Sequence, residues 1–483
     1  MTPPRTTRWR AGDRWTPLLV ASTVVGAFLR FWHLGTWSFW GDEGFTLLAS
    51  GPEFTWRDQR PLAFAMNHYI TIPLLGETEL ALRLFPAIAG TLAVPALGWM
   101  AGRRYGPAAG ALAALLTALS TLLIYYSQYA RYYAQAFLCA TLFVFAVRLW
   151  VGGAGWRWLA LAVVSFVIGW AFVPTIVLSA AGVGLWLLWN APRLLTPALA
   201  ERVRRHGLWL AIGALVLIVA GGVLTVRLVR YMVALTAMAA PYYTLPRIAV
   251  TTVVTLGLPV VVLMATGLWL CWRDESLDPL DRSFLPLVTV GSLAAFVVIF
   301  FLMPLVSPWH LVGALGPPFA AAGLALAALW RHGGTLAPAA ATAAVLSASV
   351  PELASYHIDG ARYDYRGGIA AVRALRASAA EPVVVYGAAM VRYLAPDLAP
   401  IEFQPGPEPF PWLADSARTH TTWVMLPEGR RGHGYPADLA SIAQMHHLCT
   451  PIRRIGRQRY GFYDYTVVIY RCPAVAQPGG TAP

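Results

Sequence analysis

Long apolar runs without a single charged residue recur through the first two thirds of the chain. They occupy residues 84–102, 107–130, 158–189, 208–226, 248–272, 284–309 and 311–330. Several of them exceed the about 20 residues that a helix needs to cross the roughly 30 Å hydrocarbon layer of a bilayer. The pattern therefore predicts a polytopic α-helical membrane protein.

The interruptions between the runs predict about eleven membrane-spanning helices. Pro174 divides the run 158–189 into two helices, because proline interrupts the backbone hydrogen bonds of a helix. The predicted spans are 15–32, 82–102, 107–125, 134–151, two within 158–189, 208–226, 248–272, 284–302, 312–330 and 335–350.

Composition and charge narrow the class of membrane protein. Only 12% of the residues are charged and the mean hydropathy is +0.57, which excludes a single soluble domain. The net charge of +13 arises from 36 basic residues, all arginine, and most of those before position 351 lie in short segments at alternate ends of the runs. This positive-inside pattern predicts a multi-pass membrane protein with a cytoplasmic N-terminus, and it implies no nucleic acid. The absence of lysine excludes a Walker A loop and therefore an ATP-driven pump.

The last 133 residues, 351–483, have the composition of a soluble domain. Strand-like runs at 382–386, 421–426 and 465–470 and a helical pattern over 366–376 predict a small α/β domain. We therefore expect a transmembrane domain over 1–350, with a first outer loop at about 33–79, and an extracytoplasmic domain over 351–483. Cys449 and Cys472 both lie in that domain, where an oxidising compartment permits a disulfide.

Acidic residues before position 351 are concentrated in the first outer loop, which carries six of them, and no predicted span after the first contains one. This distribution argues against a proton- or cation-coupled carrier, which places ionisable groups near the bilayer midplane. Asp42 and Glu43 follow an aromatic cluster directly after the first span. Such a pair can be a catalytic site at the membrane surface or a solvated loop face next to an interfacial aromatic belt.

A tyrosine-rich segment, YYSQYARYYAQ over 125–135, is predicted at the outer end of the third and fourth spans. Arg131 within it lies on the side where the positive-inside rule disfavours arginine. A guanidinium group binds phosphate through a planar fork of donors, so the segment can hold an anionic lipid headgroup. The alternative is an arginine that extends to the interface among interfacial tyrosines.

Four segments together resemble the membrane-embedded GT-C glycosyltransferases that use polyprenyl-phosphate sugars. This group includes the protein O-mannosyltransferases, the lipid A aminoarabinose transferase and the RgtA/B/C/D-like enzymes. The segments are FLRFWHLGTWSFWGDEGFTLLAS, ETELALRLFPAIAGTLAVPALGWMAGRRYG, YYSQYARYYAQ and SPWHLVGALGPPFAAAGLALAAL. The resemblance covers about residues 15–330 and implies a GT-C fold and inverting glycosyl transfer to an acceptor hydroxyl.

The resemblance also implies roles for individual residues. Asp42 matches the catalytic acid of the family, here a general base, and Glu43 is its usual neighbour. Some relatives bind a divalent cation, but no metal-ligand spacing in this sequence calls for one, so no metal site is predicted. The implied partners are the bilayer, a polyprenyl-phosphate-linked sugar and a glycan, lipid or protein acceptor.

The implied donor-phosphate site is basic and aromatic. Arg131 and Tyr132 belong to the family's outer tyrosine-rich block, and Arg230 flanks a later outer loop. Arg60 opens an Arg-Pro-Leu triplet where the family commonly has His-Pro-Pro or Lys-Pro-Pro, and His310 lies where arginine is commoner. The alternatives to an enzyme are a polyprenyl-lipid or solute transporter or flippase, and an assembly protein whose outer domain binds a cell-wall polymer.

Overall fold

The computed structural model describes residues 13–39, 41–52, 54–56, 61–194, 201, 205, 207, 244–302, 308–332, 334, 336–359, 363–403, 420–428, 445–456 and 466–474. The chain divides into two compact units. The membrane unit comprises Met1–Trp32, Phe54–Leu74 and Arg83–Pro351, and the sheet unit comprises His33–Glu53, Leu75–Leu82 and Glu352–Pro483. The sequence-based division places the whole loop 33–79 with the membrane helices, whereas both ends of that loop group with the C-terminal segment in the structure.

Helices dominate the described residues. In chain order they are α1 (Thr16–Phe31), α2 (Gly41–Ser50), α3 (Pro61–Met66), α4 (Ile72–Leu75), α5 (Glu79–Tyr105), α6 (Pro107–Leu119), α7 (Thr121–Ser127), α8 (Tyr133–Val151), α9 (Trp156–Phe172), α10 (Ile176–Trp189), α11 (Ala191–Leu194), α12 (Leu245–Leu256), α13 (Leu258–Arg273), α14 (Pro279–Leu302), α15 (Gly316–His332), α16 (Leu336–Asp359), α17 (Tyr365–Leu375) and α18 (Ala388–Leu394). A π-helical turn, Asn67–Thr71, joins α3 to α4, and 3-10 turns lie at Pro308–Ala314 and Pro396–Leu398.

Among the described residues, α5, α8, α14 and α16 are each long and apolar enough to cross a membrane. Three bent pairs, α6 with α7, α12 with α13, and the turn Pro308–Ala314 with α15, raise the number of candidate spans to seven. Shorter apolar helices accompany them, including α1, α9 and α10. The protein is therefore a membrane-embedded helical protein, while the number of eleven spans stays a prediction. The span predicted at 208–226 lies outside the described residues.

The breaks between helices follow the residues at which they occur. The predicted division at Pro174 is confirmed, since α9 ends at Phe172 and α10 begins at Ile176. The helix predicted to run without a break over 248–272 is interrupted, because α12 and α13 are bent by 100° relative to each other at Gly257. Gly257 has a φ of 81°, a left-handed conformation that favours glycine, and the proline that follows it at the start of α13 cannot continue a preceding helix.

The sheet unit contains a five-stranded sheet with the strand order β2-β1-β3-β5-β4. The strands are β1 (Val383–Val385), β2 (Ile401–Glu402), β3 (Thr422–Glu428), β4 (Thr450–Ile455) and β5 (Thr466–Cys472). β1 pairs in parallel with β2 and β3, and the β3–β5 and β5–β4 pairs are antiparallel. β1, β3 and β5 are the three strands that the sequence predicts. The sequence pattern missed β2, which has only two residues, and β4, whose side chains are mostly exposed.

A disulfide joins Cys449, next to the first residue of β4, to Cys472 at the end of β5. Both cysteines belong to a hydrophobic core of the sheet unit that also contains Val384, Val424 and Val468. The pairing that the sequence permits is therefore made in the structure.

Candidate active site

The two carboxylates that follow the first span lie in the first turn of α2. A helix N-terminus carries partial positive charge, so acidic residues are favoured in this turn of a helix. The structure separates the pair by exposure: the Asp42 side chain is exposed to solvent, whereas Glu43 is 0% exposed. Only Asp42 is therefore accessible to a substrate that arrives from water.

The tyrosine-rich segment comprises the end of α7, the connection to α8 and the start of α8. Arg131 is only 9% exposed and Tyr132 is 1% exposed, which argues against an arginine that extends freely to the interface. The Arg131 guanidinium lies 5.6 Å from the centre of the Tyr132 ring, within cation–π range. Tyr133 and His310 meet edge to face with ring centres 6.4 Å apart. The structure thus brings Arg131, Tyr132 and His310 into one aromatic and basic cluster of the membrane unit.

Arg30, near the end of α1, is fully buried, and its hydrogen bonds join α1 to the bend between α6 and α7. Its guanidinium donates to the carbonyls of Gly26 at 3.0 Å, Thr117 at 3.0 Å and Ala118 at 3.2 Å, and its Nε donates to Ser127 Oγ at 3.2 Å. The Thr117 and Ala118 carbonyls belong to the last turn of α6, where a helix leaves acceptors unpaired and favours positive charge.

Gln128 makes the reciprocal connection from the tyrosine-rich segment to α1. The two N–H groups of its amide are shared among three carbonyls, those of Leu29 at 3.1 Å, Arg30 at 3.1 Å and Trp32 at 2.7 Å. The end of α1 and the segment that carries Arg131 therefore hold each other in place. Sequence reasoning missed both residues, although an arginine inside an otherwise uncharged span is itself a signal of a specific role.

We expect Gln128→Met to lower the thermal stability of the membrane unit, because the variant keeps the side-chain volume but leaves buried carbonyls without a donor. An unsatisfied buried acceptor costs about 1–3 kcal/mol. The matched control is Gln135→Met: Gln135 is also buried, but its amide oxygen has no hydrogen-bond partner in the described part of the chain. Equal melting temperatures for the two variants in detergent would contradict the role of Gln128.

At the other end of α8, two buried arginines share one carboxylate. Arg104 Nε donates to Asp281 Oδ1 at 2.8 Å, and Arg148 Nη2 lies 2.8 Å from the same oxygen. The Tyr105 hydroxyl donates to the Asp281 carbonyl at 3.1 Å. These contacts join the last turns of α5 and α8 to the first turn of α14. The interpretation of these arginines as loop charges is therefore incomplete, because Arg104 and Arg148 are buried and paired.

This Arg–Asp cluster is separate from the tyrosine-rich segment. Tyr133 and Arg148 lie near opposite ends of α8, about 22 Å apart along the helix axis at 1.5 Å per residue. The cluster thus joins three helix ends and lies at a distance from the tyrosine-rich segment.

The remaining predicted site residues are not positioned by the structure. Arg60 and Arg230 lie outside the described residues. Within the described ranges, no group of three or more His, Cys, Asp or Glu side chains could hold a metal ion. The absence of a metal site stays a prediction.

Comparison with known proteins identifies the fold. No family model matches the chain, and no curated protein matches its sequence. A crystal structure of ArnT from Cupriavidus metallidurans in the apo state is 15% identical and aligns with a TM-score of 0.54. A second, of the same protein bound to undecaprenyl phosphate, is 14% identical with a TM-score of 0.51. Both alignments cover 98% of this chain and 100% of the ArnT chain.

A crystal structure of the Archaeoglobus fulgidus oligosaccharyltransferase, complexed with Zn and sulfate, is also similar in part. It is 14% identical over 85% of this chain and 68% of its own, with a TM-score of 0.45, below the level that establishes a common fold. The alignment with ArnT extends over nearly the whole of both chains. The chain therefore has the GT-C fold of ArnT, which its sequence resemblance implies.

Proposed function

We propose that the protein is a membrane glycosyltransferase that moves a sugar from a polyprenyl-phosphate donor to a hydroxyl group of a glycan, lipid or protein acceptor. The observation that carries this proposal is a fold shared with ArnT along 98% of the chain, since one of the matched ArnT structures is bound to undecaprenyl phosphate. The solvent-exposed Asp42 and the buried Arg131 supply the two kinds of group that such a transfer needs.

Asp42 acts as the general base. As the acceptor oxygen bonds to the anomeric carbon, the bond from that carbon to the phosphate oxygen breaks, and the polyprenyl phosphate leaves with the electron pair. Asp42 takes the proton of the attacking hydroxyl, a contribution of about 10²–10⁴-fold in rate. Glu43 is the less suitable base, because a fully buried carboxylate is closed to the acceptor.

The leaving phosphate is a weak base and needs positive charge rather than a proton. Arg131 supplies that charge from a largely water-excluded setting, where a fixed cation stabilises developing negative charge more strongly than in water. Tyr132 and His310 line the same cluster. Arg60 and Arg230 are proposed as further phosphate ligands from their sequence positions alone.

We place the reaction at the outer face of a bacterial inner membrane, with the N-terminus in the cytoplasm. The arginine distribution favours this orientation. The disulfide between Cys449 and Cys472 favours an oxidising compartment for the sheet unit, and Asp42 belongs to the same unit.

The test is transfer by the purified protein in lipid nanodiscs, with a panel of radiolabelled polyprenyl-phosphate sugars and acceptor lipids, glycans and peptides. We expect label to appear on an acceptor only when the protein is present. A parallel reaction with a chelator tests whether a divalent cation takes part. Donor that crosses the bilayer of proteoliposomes without transfer would instead identify a flippase. Polymer binding by the intact chain without turnover would identify an assembly protein.

A further inference from the structure

The helix that carries Asp42 is held by residues more than 300 positions away in the chain. α2 belongs to the sheet unit, and it packs against α18. The chain therefore folds its proposed base onto the C-terminal segment, although α2 directly follows the first span in sequence.

Ser38, just before α2, is the first point of attachment. Its buried hydroxyl donates to the Tyr363 carbonyl at 3.0 Å and accepts from the Tyr365 backbone N–H at 3.1 Å. Tyr365 opens α17, which Asp364 caps by accepting from the Gly367 N–H at 2.8 Å. The Tyr365 hydroxyl in turn donates to the Tyr386 carbonyl at 3.1 Å, directly after β1. Ser38 is thus hydrogen-bonded to the start of α17, and α17 is in turn hydrogen-bonded to the residue that follows β1.

Gly44 is the second point of attachment, within α2 and two residues after Asp42. A Cβ atom placed on Gly44 would lie 3.1 Å from Met390 Cβ and 3.2 Å from Met390 Cγ. Glycine weakens a helix interior, so its position here is explained by this close approach of α2 to α18. The α18 N-terminus is fixed in turn, because the Gly387 and Ala388 N–H groups donate to the Glu402 carboxylate at 2.8 and 2.6 Å.

The far end of the same loop is attached to the same elements. Glu79, at the start of α5, is buried and accepts from Arg366 of α17 at 2.7 Å. The Tyr393 hydroxyl of α18 donates to the Glu77 carbonyl at 2.7 Å. Residues at and next to α17 and α18 therefore bind both ends of the first outer loop, 33–79.

We propose that the C-terminal segment is a positioning element for α2, and that Ser38, Gly44 and Met390 are positioning residues for Asp42. The proposal rests on the proposed function. A general base must lie within hydrogen-bond reach of the proton it abstracts, and a displacement of about 1 Å can cost about 100-fold in rate. The C-terminal segment thereby contributes to turnover by fixing the position of α2.

The main variant is Gly44→Ala, which requires α2 and α18 to separate by a few tenths of an ångström. We expect kcat to fall by about 3- to 10-fold, with the KM for the polyprenyl-phosphate sugar unchanged. Gly184→Ala is the matched control, since Gly184 lies inside α10 with nothing within 4 Å of an added Cβ. The control should leave kcat and KM unchanged.

Two further variants separate positioning from a general loss of structure. Combining Gly44→Ala with Met390→Ala removes the Met390 Cγ and Sδ atoms that the added methyl group would meet. We expect the kcat of this double variant to be higher than that of Gly44→Ala alone. Ser38→Ala removes the hydroxyl bonds and is expected to lower kcat with KM unchanged. Melting temperature and size-exclusion profile are measured for each variant.

The outcomes distinguish this proposal from the proposed function. Normal kcat in folded Gly44→Ala and Ser38→Ala protein overturns the positioning role alone. A parallel loss in Gly184→Ala, or no recovery in the double variant, also overturns it. No transfer by the unmodified protein with any donor overturns the proposed function and this inference with it.

Discussion

Replacing Asp42 by Asn is expected to abolish sugar transfer while donor binding is retained. Asn keeps the size of the side chain but cannot accept the proton of the acceptor hydroxyl, so the rate should fall by about 10²–10⁴-fold. The side chain is exposed, and the substitution therefore creates no cavity. The measurements are the single-turnover rate with labelled donor and the Kd for a polyprenyl phosphate.

Asp397→Asn is the matched control, because Asp397 is an exposed aspartate of the same unit. Hydrogen bonds from Arg373, the closer at 2.5 Å, hold the pKa of Asp397 below its ordinary value, but exposed ion pairs contribute little to stability. Transfer should be unchanged in this variant. If Asp42→Asn protein transfers normally and Glu43→Gln protein does not, the base is Glu43.

Most of the helical architecture can be predicted from sequence, because lipid imposes one requirement on every span. An apolar run of sufficient length must be a helix in a bilayer, and α1, α8, α9 and α10 agree with the predicted spans within a few residues. The bend at Gly257 was missed, since an isolated glycine within an apolar run does not reveal a left-handed φ.

The candidate site is only partly predictable, because its residues depend on distant packing. Residue type and position were enough to select Asp42 and Arg131. They could not assign Asp42 to solvent and Glu43 to the interior, since neighbours in a helix differ by about 100° in direction and their burial depends on what packs against α2. The bonds that Gln128 makes to α1 cross 96–99 positions, and no local pattern encodes them.

The Arg–Asp cluster supplies the prediction with the largest effect on stability. Asp281→Asn is expected to lower the free energy of unfolding by about 3–5 kcal/mol, since it leaves Arg104 and Arg148 buried side by side without their shared carboxylate. Arg148 is especially dependent on Asp281, because its Nε and Nη1 have no hydrogen-bond partner among the described residues. The measurement is unfolding of the purified protein in mixed micelles, followed by tryptophan fluorescence.

Asp274→Asn provides the comparison, since Asp274 is an aspartate at the end of α13 whose exposed hydrogen bonds go to Ser276. This variant should unfold like the unmodified protein. Adding Arg148→Met to Asp281→Asn removes one of the two buried cations that have lost the Asp281 carboxylate and should restore part of the lost stability. Because the cluster lies about 22 Å along α8 from Tyr133, the folded fraction of Asp281→Asn protein should transfer sugar at the normal rate. A lower rate per folded molecule would mean that the helix ends joined by Asp281 also determine the geometry of the tyrosine-rich segment.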